Sequence, residues 1–224
     1  LKFNLKKKDI LEAEKLYKKS KKLKRAINLI KERLFIYENK LNRLEEYRFM
    51  LDNIKFNSIG NISNKLDLLE ELKYELSNEF NLRKKRLNPS KINFVKTQSS
   101  PIQIISPGGV NILIGRNMRQ NDLITFKLSK KQDLWFHAQE SPGSHVLLKS
   151  SSKVPNDDDI QIAADLAAFF CKAKGNLRVP INQVKVKDIQ KISKAGLGCV
   201  SFKNSEIIWG NPTRGKEYIK KNTE

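Results

Sequence analysis

The stretch Ile102-Gln103-Ile104-Ile105-Ser106-Pro107-Gly108-Gly109-Val110-Asn111-Ile112-Leu113-Ile114 decides how the chain is read. Two short apolar runs rich in β-branched residues flank a Ser-Pro-Gly-Gly segment, the pattern of a β-hairpin. Before it the apolar spacing is helical, and after it strand-like runs alternate with turns, so the architecture changes near position 101.

Working back from there, residues 9–56 contain no Pro or Gly. Apolar side chains recur at Leu16, Leu23, Ile27, Ile30, Leu34, Tyr37, Leu41, Leu44 and Leu51, with Ser20 and Arg48 filling the missing places. Steps of three and four are the a/d seam of a coiled coil. Asn57 to Asn61, with Gly60 among them, read as a turn, and Ile62, Leu66, Leu69, Leu72, Leu76 and Phe80 read as the seam of a return helix. A five-residue connection predicts antiparallel neighbours. The expected fold is a long antiparallel α-helical coiled-coil hairpin over 1–90 and a linker over 91–100. A mixed α/β (α+β) domain follows over 101–214, and a basic tail over 215–224. Within the domain, further strands are expected at 123–128, 134–138, 146–149, 181–186, 199–203 and 207–209. A helix is expected from Asn156 or Asp157 to about Lys174, with three Asp residues at its positive end and Gly175 as its C-terminal cap.

Charge points to the partner. The 224 residues carry 44 Lys and Arg against 24 Asp and Glu, a net charge of +20 and a pI near 9.9. Twelve of the basic residues and only three acids lie in residues 1–31. Clustered cations displace counterions from a phosphate backbone, and with few acids at i,i+4 their mutual repulsion is uncompensated. Lys18, Lys19, Lys21, Lys22, Lys24 and Arg25 are therefore candidate RNA-binding residues, an anionic membrane surface being the other polyanion a basic helix can meet. Cys171 and Cys199 form no CxxC and have no nearby His, so neither a disulfide framework nor a zinc site is indicated, no cofactor or metal is expected, and a reducing cytoplasm fits. No apolar run reaches the ~20 residues of a membrane span, and no secretory signal opens the chain. Its first residue, Leu1, is not Met, which reads as a fragment or processed chain.

Three constellations in the domain carry chemistry. Gly115-Arg116-Asn117 follows a strand, so backbone amides there can approach a phosphate with Arg116 and Arg119 as cationic partners, or the segment is a plain strand-ending turn. Trp135 and Phe136 are adjacent in a strand and face opposite ways. One is expected in the core, leaving the other, with Trp135 the candidate, to stack on a base among Arg116, Arg119 and Lys127. Asp133, His137, Ser144 and His145, with Gly143, allow a hydrolase or metal reading. The reading preferred is that they fix turns, hydrogen-bond buried groups or face a ligand, without catalysis.

Taken together, Ile112 to Asn117, Gln120-Asn121-Asp122, Asp133 to Ala138 and Ser141 to Val146 resemble, in order and spacing, the R domain of the NFACT family of ribosome quality-control factors. Residues 163–170, 196–200 and Asn211-Pro212 resemble the family's later helix and closing strands, and residues 16–22 resemble the start of its coiled coil. The resemblance implies binding to a split large ribosomal subunit that carries a stalled chain on peptidyl-tRNA. It also implies contacts with rRNA and tRNA, a coiled coil reaching a stalk-base ribosomal protein, and support for alanine tailing in bacterial members. The family's N-terminal domain, expected to hold the peptidyl-site tRNA, is absent from the sequence. An older fibronectin-binding label for bacterial members finds no support in it. The expectation is a non-catalytic RNA- and ribosome-binding module. The alternatives are a hydrolase of RNA or nucleotides using Asp133, His137 and His145, and a coiled-coil adaptor that recruits a protein.

Overall fold

The computed structural model describes residues 7–56, 62–80, 99–193 and 195–223. It comprises two compact units, Leu1–Glu45 and Glu46–Glu224. In the first, every described residue belongs to α1 (Lys7–Phe56), which continues into the second. The seam side chains Leu16, Leu23, Ile27, Ile30, Leu34, Tyr37, Leu41 and Leu44 are exposed.

In the second unit the last turns of α1 meet α2 (Ile62–Glu79). Tyr47, Phe49, Met50 and Ile54 are buried with Leu68, Leu72 and Met118. The Tyr47 hydroxyl donates to Glu79 Oε2 at 2.8 Å and its ring meets Phe80 edge-on. The helical period is as expected, but the buried face is rotated. Leu51, Leu66 and Leu69, assigned to the seams, are exposed, because the buried face also packs on Met118 of the following domain. The turn read at 57–61 and all but the end of the linker read at 91–100 lie outside the described residues.

β1 (Ile102–Ile105) and β2 (Asn111–Ile114) form the expected antiparallel hairpin, with Ile105 opposite Asn111. Then come α3 (Met118–Phe126), β3 (Leu134–Ala138), β4 (Val146–Leu148), α4 (Asp157–Phe169) and β5 (Val179–Lys185). After a 3-10 turn at Val186–Asp188 follow β6 (Ile189–Lys191), β7 (Val200–Phe202), β8 (Glu206–Gly210) and α5 (Pro212–Thr223). Six strands make one antiparallel sheet in the order β1-β2-β4-β3-β5-β8, and β6 and β7 pair separately.

Both faces of the sheet are covered, and period-2 alternation divides the side chains between them. One face buries Ile112, Ile114, Phe136, Val146, Leu148 and Ile181 against the small side chains of α4 and against Ile219 of α5. Gly210 permits the close approach, since a Cβ there would lie 2.5 Å from the Ala164 carbonyl oxygen. The other face buries Leu113, Trp135, Leu147 and Val184 beneath Ile124 of α3 and Ile189 of β6, with Val200 and Phe202 of β7 packed alongside.

Three elements depart from expectation. Residues 123–128, expected as a strand, lie largely in α3, which starts earlier because Asn117 accepts a hydrogen bond from the Gln120 amide at 2.7 Å and caps it. α4 stops at Phe169, because the next residues bond to another segment. The Phe170 carbonyl accepts from the Ser144 amide (2.9 Å), and the Lys172 amide donates to the Pro142 carbonyl (2.8 Å). Residues 215–223, expected as a basic tail, belong to α5, whose Ile219 is buried in the core.

Candidate nucleic-acid interface

The first group of candidate residues sits on α1, where Lys18, Lys19, Lys21, Lys22, Lys24 and Arg25 are all exposed. At about 100° per residue, Lys18, Lys21, Lys22 and Arg25 fall within one arc, and Lys15 continues it. Lys19 and Lys24 flank that arc on either side, and the apolar seam lies roughly opposite. Helix geometry thus turns a run of basic residues into a stripe that faces one way.

The second group, around Gly115, is built as a turn. A Cβ on Gly115 would lie 2.1 Å from Asn121 Oδ1 and 2.9 Å from the Asn121 nitrogen, so α3 packs directly on it. The Gln120 side chain accepts from the Arg116 amide at 2.9 Å. The positive end of α3 is occupied by two glutamates of α2. Glu75 Oε1 accepts from the Arg119 amide (3.2 Å), and Glu71 Oε2 accepts from Asn117 Nδ2 (2.7 Å). Glu71 also accepts from the Ser99 amide (2.7 Å) and hydroxyl (2.6 Å). Carboxylates of the chain itself thus take up hydrogen-bond donors at the start of α3. Arg116 is drawn into this network through Ser100, whose carbonyl accepts from Nη2 at 2.7 Å. Burial lowers its pKa and Glu71 opposes that. Arg119 and Lys127 remain exposed.

Trp135 does not serve as a stacking platform. It and Phe136 are each 0% exposed, because α3 and the β6–β7 ribbon cover the face that was expected to be open. Burying an aromatic of this size stabilises the fold by about 2–3 kcal/mol. The Trp135 ring stacks near-parallel on His137 (centroids 5.6 Å apart) and meets His145 edge-on at 4.9 Å. His145 Nδ1 lies 2.8 Å from Thr125 Oγ1, and its amide donates to Asn121 Oδ1 at 3.0 Å. Burial pulls the pKa of His145 well below the usual histidine value, and the neighbouring His137 adds to this. Burial likewise lowers the pKa of His137, against backbone groups of Ala138 and Gly143. Gly143 bridges to Cys171, and Ser144 is buried beside them.

Asp133 is wholly buried and holds a turn. It accepts from the amides of Lys130 (2.8 Å) and Ser151 (2.9 Å) and pairs with Lys149 at 3.5 Å. Burial alone would raise its pKa, but these amides and the lysine bring it below the ordinary carboxylate value. Asp133 therefore sits with Lys149 and the 130–133 turn, while His137 and His145 sit with Trp135. Cys171 is buried, with its thiol pushed up to about 11, chiefly by burial. Among the described residues, no three His, Cys, Asp or Glu converge as metal ligands.

Residues 101–204 match the family described as the NFACT protein RNA binding domain. The chain carries the RNA binding domain of the NFACT family. It is similar to "Rqc2 homolog RqcH" of Streptococcus suis, at 31% identity over 91% of this chain and 34% of that protein. The protein of the same name from Bacillus subtilis is 36% identical over 48% of this chain and 18% of its own length. The chain thus spans at most about a third of these curated relatives. Among solved structures it is similar to the C-terminal part of the fibronectin/fibrinogen-binding protein of Streptococcus suis. The TM-score is 0.76 and the identity 27%, over 95% of this chain and 79% of that one.

Two features of this chain lie outside the candidate residues that the sequence offers. Nothing local to α2 signals that Glu75 accepts from an α3 amide or that Glu71 accepts from the cap residue Asn117. Trp209 was read only as part of a closing strand, yet it is 56% exposed and lines a cavity of about 320 Å³ with Gln161, Arg178, Asn211 and Arg214. Asn211 and Arg214 stand near it in the sequence, whereas Gln161 and Arg178 are brought there only by the fold.

Proposed function

We propose that this chain is the RNA- and ribosome-binding part of a ribosome quality-control factor. In this reading it engages large ribosomal subunits that carry stalled peptidyl-tRNA and supports C-terminal alanine tailing of the nascent chain. The observation that carries the reading is the exposed basic stripe of α1 in the same chain as an NFACT RNA binding domain. Four cations on one arc suit a phosphate backbone better than a run spread around the helix. The names of the curated relatives support the quality-control role.

The chain acts by binding, without catalysis of its own. Asp133 is committed to a turn, and the two histidines pack on a tryptophan. The exposed apolar seam of α1 is one wall of a coiled-coil arm, which we read as the part that reaches toward the stalk base of the subunit. Among the described residues no helix is long and apolar enough to cross a membrane, and in this reading the protein works beside ribosomes in the cytoplasm.

The test is co-sedimentation of the purified chain with large ribosomal subunits at rising salt. Binding should be strong at low salt, fall steeply as salt rises, and be lost on charge reversal at Lys18, Lys21, Lys22 and Arg25. Absence of binding at low salt, or indifference to the reversal, would overturn the reading.

A further inference from the structure

Where the last turns of α1 and the first turns of α2 pack on the sheet domain, they border a small cavity. Ile54, Leu68 and Ile102 make its walls mostly apolar. Asn53 of α1, Arg116 after β2 and Ser144 before β4 add polar groups from three separate segments. Each contributes a buried atom, Asn53 Nδ2, Arg116 Nε and Ser144 Oγ, that has no hydrogen-bond partner among the described residues. Asn53 and Ser144 are only 7% and 1% exposed, so bulk water does not serve them. Buried polar groups are nearly always paired, and three such atoms around one space point to a common acceptor.

The rest of each side chain is anchored. Asn53 Oδ1 lies 3.4 Å from Lys174 Nζ and accepts from it, which leaves the Nδ2 donors for the cavity. Arg116 donates from Nη2 to the Ser100 carbonyl at 2.7 Å. The Ser144 amide donates to the carbonyl of Phe170, another lining residue, at 2.9 Å. Two of the three free atoms can only donate, and the hydroxyl can donate as well. Among the described residues that line the cavity none is an acid, and Lys65 adds a second cation. Glu71 acts on Arg116 from outside, but its carboxylate already accepts from Ser99 and Asn117. Burial outweighs it and lowers the Arg116 pKa, so the guanidinium is left short of negative charge.

We propose that this cavity binds one halide ion, chloride in the cell, through Asn53 Nδ2, Arg116 Nε and the Ser144 hydroxyl. The ion would tie the base of the helical pair to the sheet domain. The free volume is about 20 Å³, on a measure by which one water needs about 10–15 Å³. That admits a monatomic ion and excludes a nucleotide. A water in the same place needs acceptors for its two protons. The lining side chains offer only Ser144 Oγ and an Asn53 Oδ1 already used by Lys174. The site owes nothing to the RNA-binding reading and stands or falls separately from it.

The whole 224-residue chain is crystallised with sodium bromide in place of chloride, and anomalous scattering is collected at the bromine edge. A peak in contact with Asn53, Arg116 and Ser144 is expected. In solution, melting temperatures are followed as chloride replaces gluconate at constant ionic strength. The parent should show a saturable rise of about 3–5 °C at a tenfold excess over Kd. Asn53→Asp puts a carboxylate where the ion sits and should abolish the rise. Ser144→Ala, which removes a single oxygen, should weaken chloride binding about 10-fold. Ordered water with no anomalous signal, a rise with sulfate but none with chloride, or a chloride rise kept in both variants would overturn the proposal. A peak in the crystal without a saturable rise in solution would mean an adventitious ion only, and would overturn it too.

Discussion

Replacing Lys18, Lys21, Lys22 and Arg25 together by Gln tests whether α1 presents a face or only a charge. Gln has nearly the same helix propensity as Lys and Arg, so the helix survives and only the charge goes. Each phosphate neutralised adds about 0.9 to the slope of log K against log salt on duplex RNA or DNA, and about 0.7 on a single strand. Four contacts on one arc therefore account for a slope of roughly 3 to 3.5. Between 50 and 200 mM salt, that slope makes the parent lose on the order of 100-fold more affinity than the variant. The assay is filter binding of large-subunit rRNA fragments across a potassium chloride series, with circular dichroism to confirm helicity. Lys19→Gln with Lys24→Gln is the matched control, because both flank the arc. An unchanged slope in the fourfold variant would refute the reasoning. So would an equal loss per charge in the control pair, which would mean that α1 meets RNA without a preferred face.

Three further outcomes follow from the domain. Asp133→Ala strands the amides of Lys130 and Ser151 and should cost about 2–4 kcal/mol, lowering the melting temperature by roughly 5–15 °C in calorimetry; a shift under about 2 °C would show that the carboxylate holds nothing. Stability should be fully present above pH ~6.5 and fall as the pH drops below it, because the unfolded histidines take up protons there while folded His137 and His145, with lowered pKa values, do not. Urea midpoints at pH 7.5 and 5.5 measure this, and a midpoint that does not move would contradict the lowered pKa values of the pair. The double variant Glu71→Ala with Glu75→Ala should lose the order of 2–3 kcal/mol and, unlike the parent, be stabilised by added phosphate, which differential scanning fluorimetry would detect; no phosphate effect would mean that the end of α3 is not an anion site at all.

The sheet was legible where a local pattern had no competitor. Pro107-Gly108-Gly109 between β-branched runs admits little besides a hairpin, and β3 reads directly from Leu134 to Ala138. α3 was misread because Leu123 to Phe126 suits a strand and a helix end equally over so short a span. The deciding signal lay upstream, in Asn117 and Gln120 three residues apart, an N-cap pattern. α5 was hidden by its basic composition, though Ile219 gives it a core-facing side chain. The error at Trp135 followed from these. A sheet with α3 misplaced has one face open, and the indole that packs under α3 then looks available to RNA. Trp209 shows the converse, since only strand order, which is non-local, reveals that β8 is an edge.

The helix caps bear on how RNA would be held. The N-termini of the domain's helices already have internal acceptors. Glu71 and Glu75 serve α3, Asp159 forms a capping box with Asn156 on α4, and Asp165 takes the Asn211 amide at the start of α5. Backbone amides, which often bind phosphate at helix ends, are thus spent on the fold, and recognition falls to exposed side chains. In the proposed reading the α1 stripe acts through counterion release, so its loss should flatten the salt dependence, whereas loss of the exposed Arg119, which stands alone rather than in a stripe, should reduce the slope by no more than about one contact.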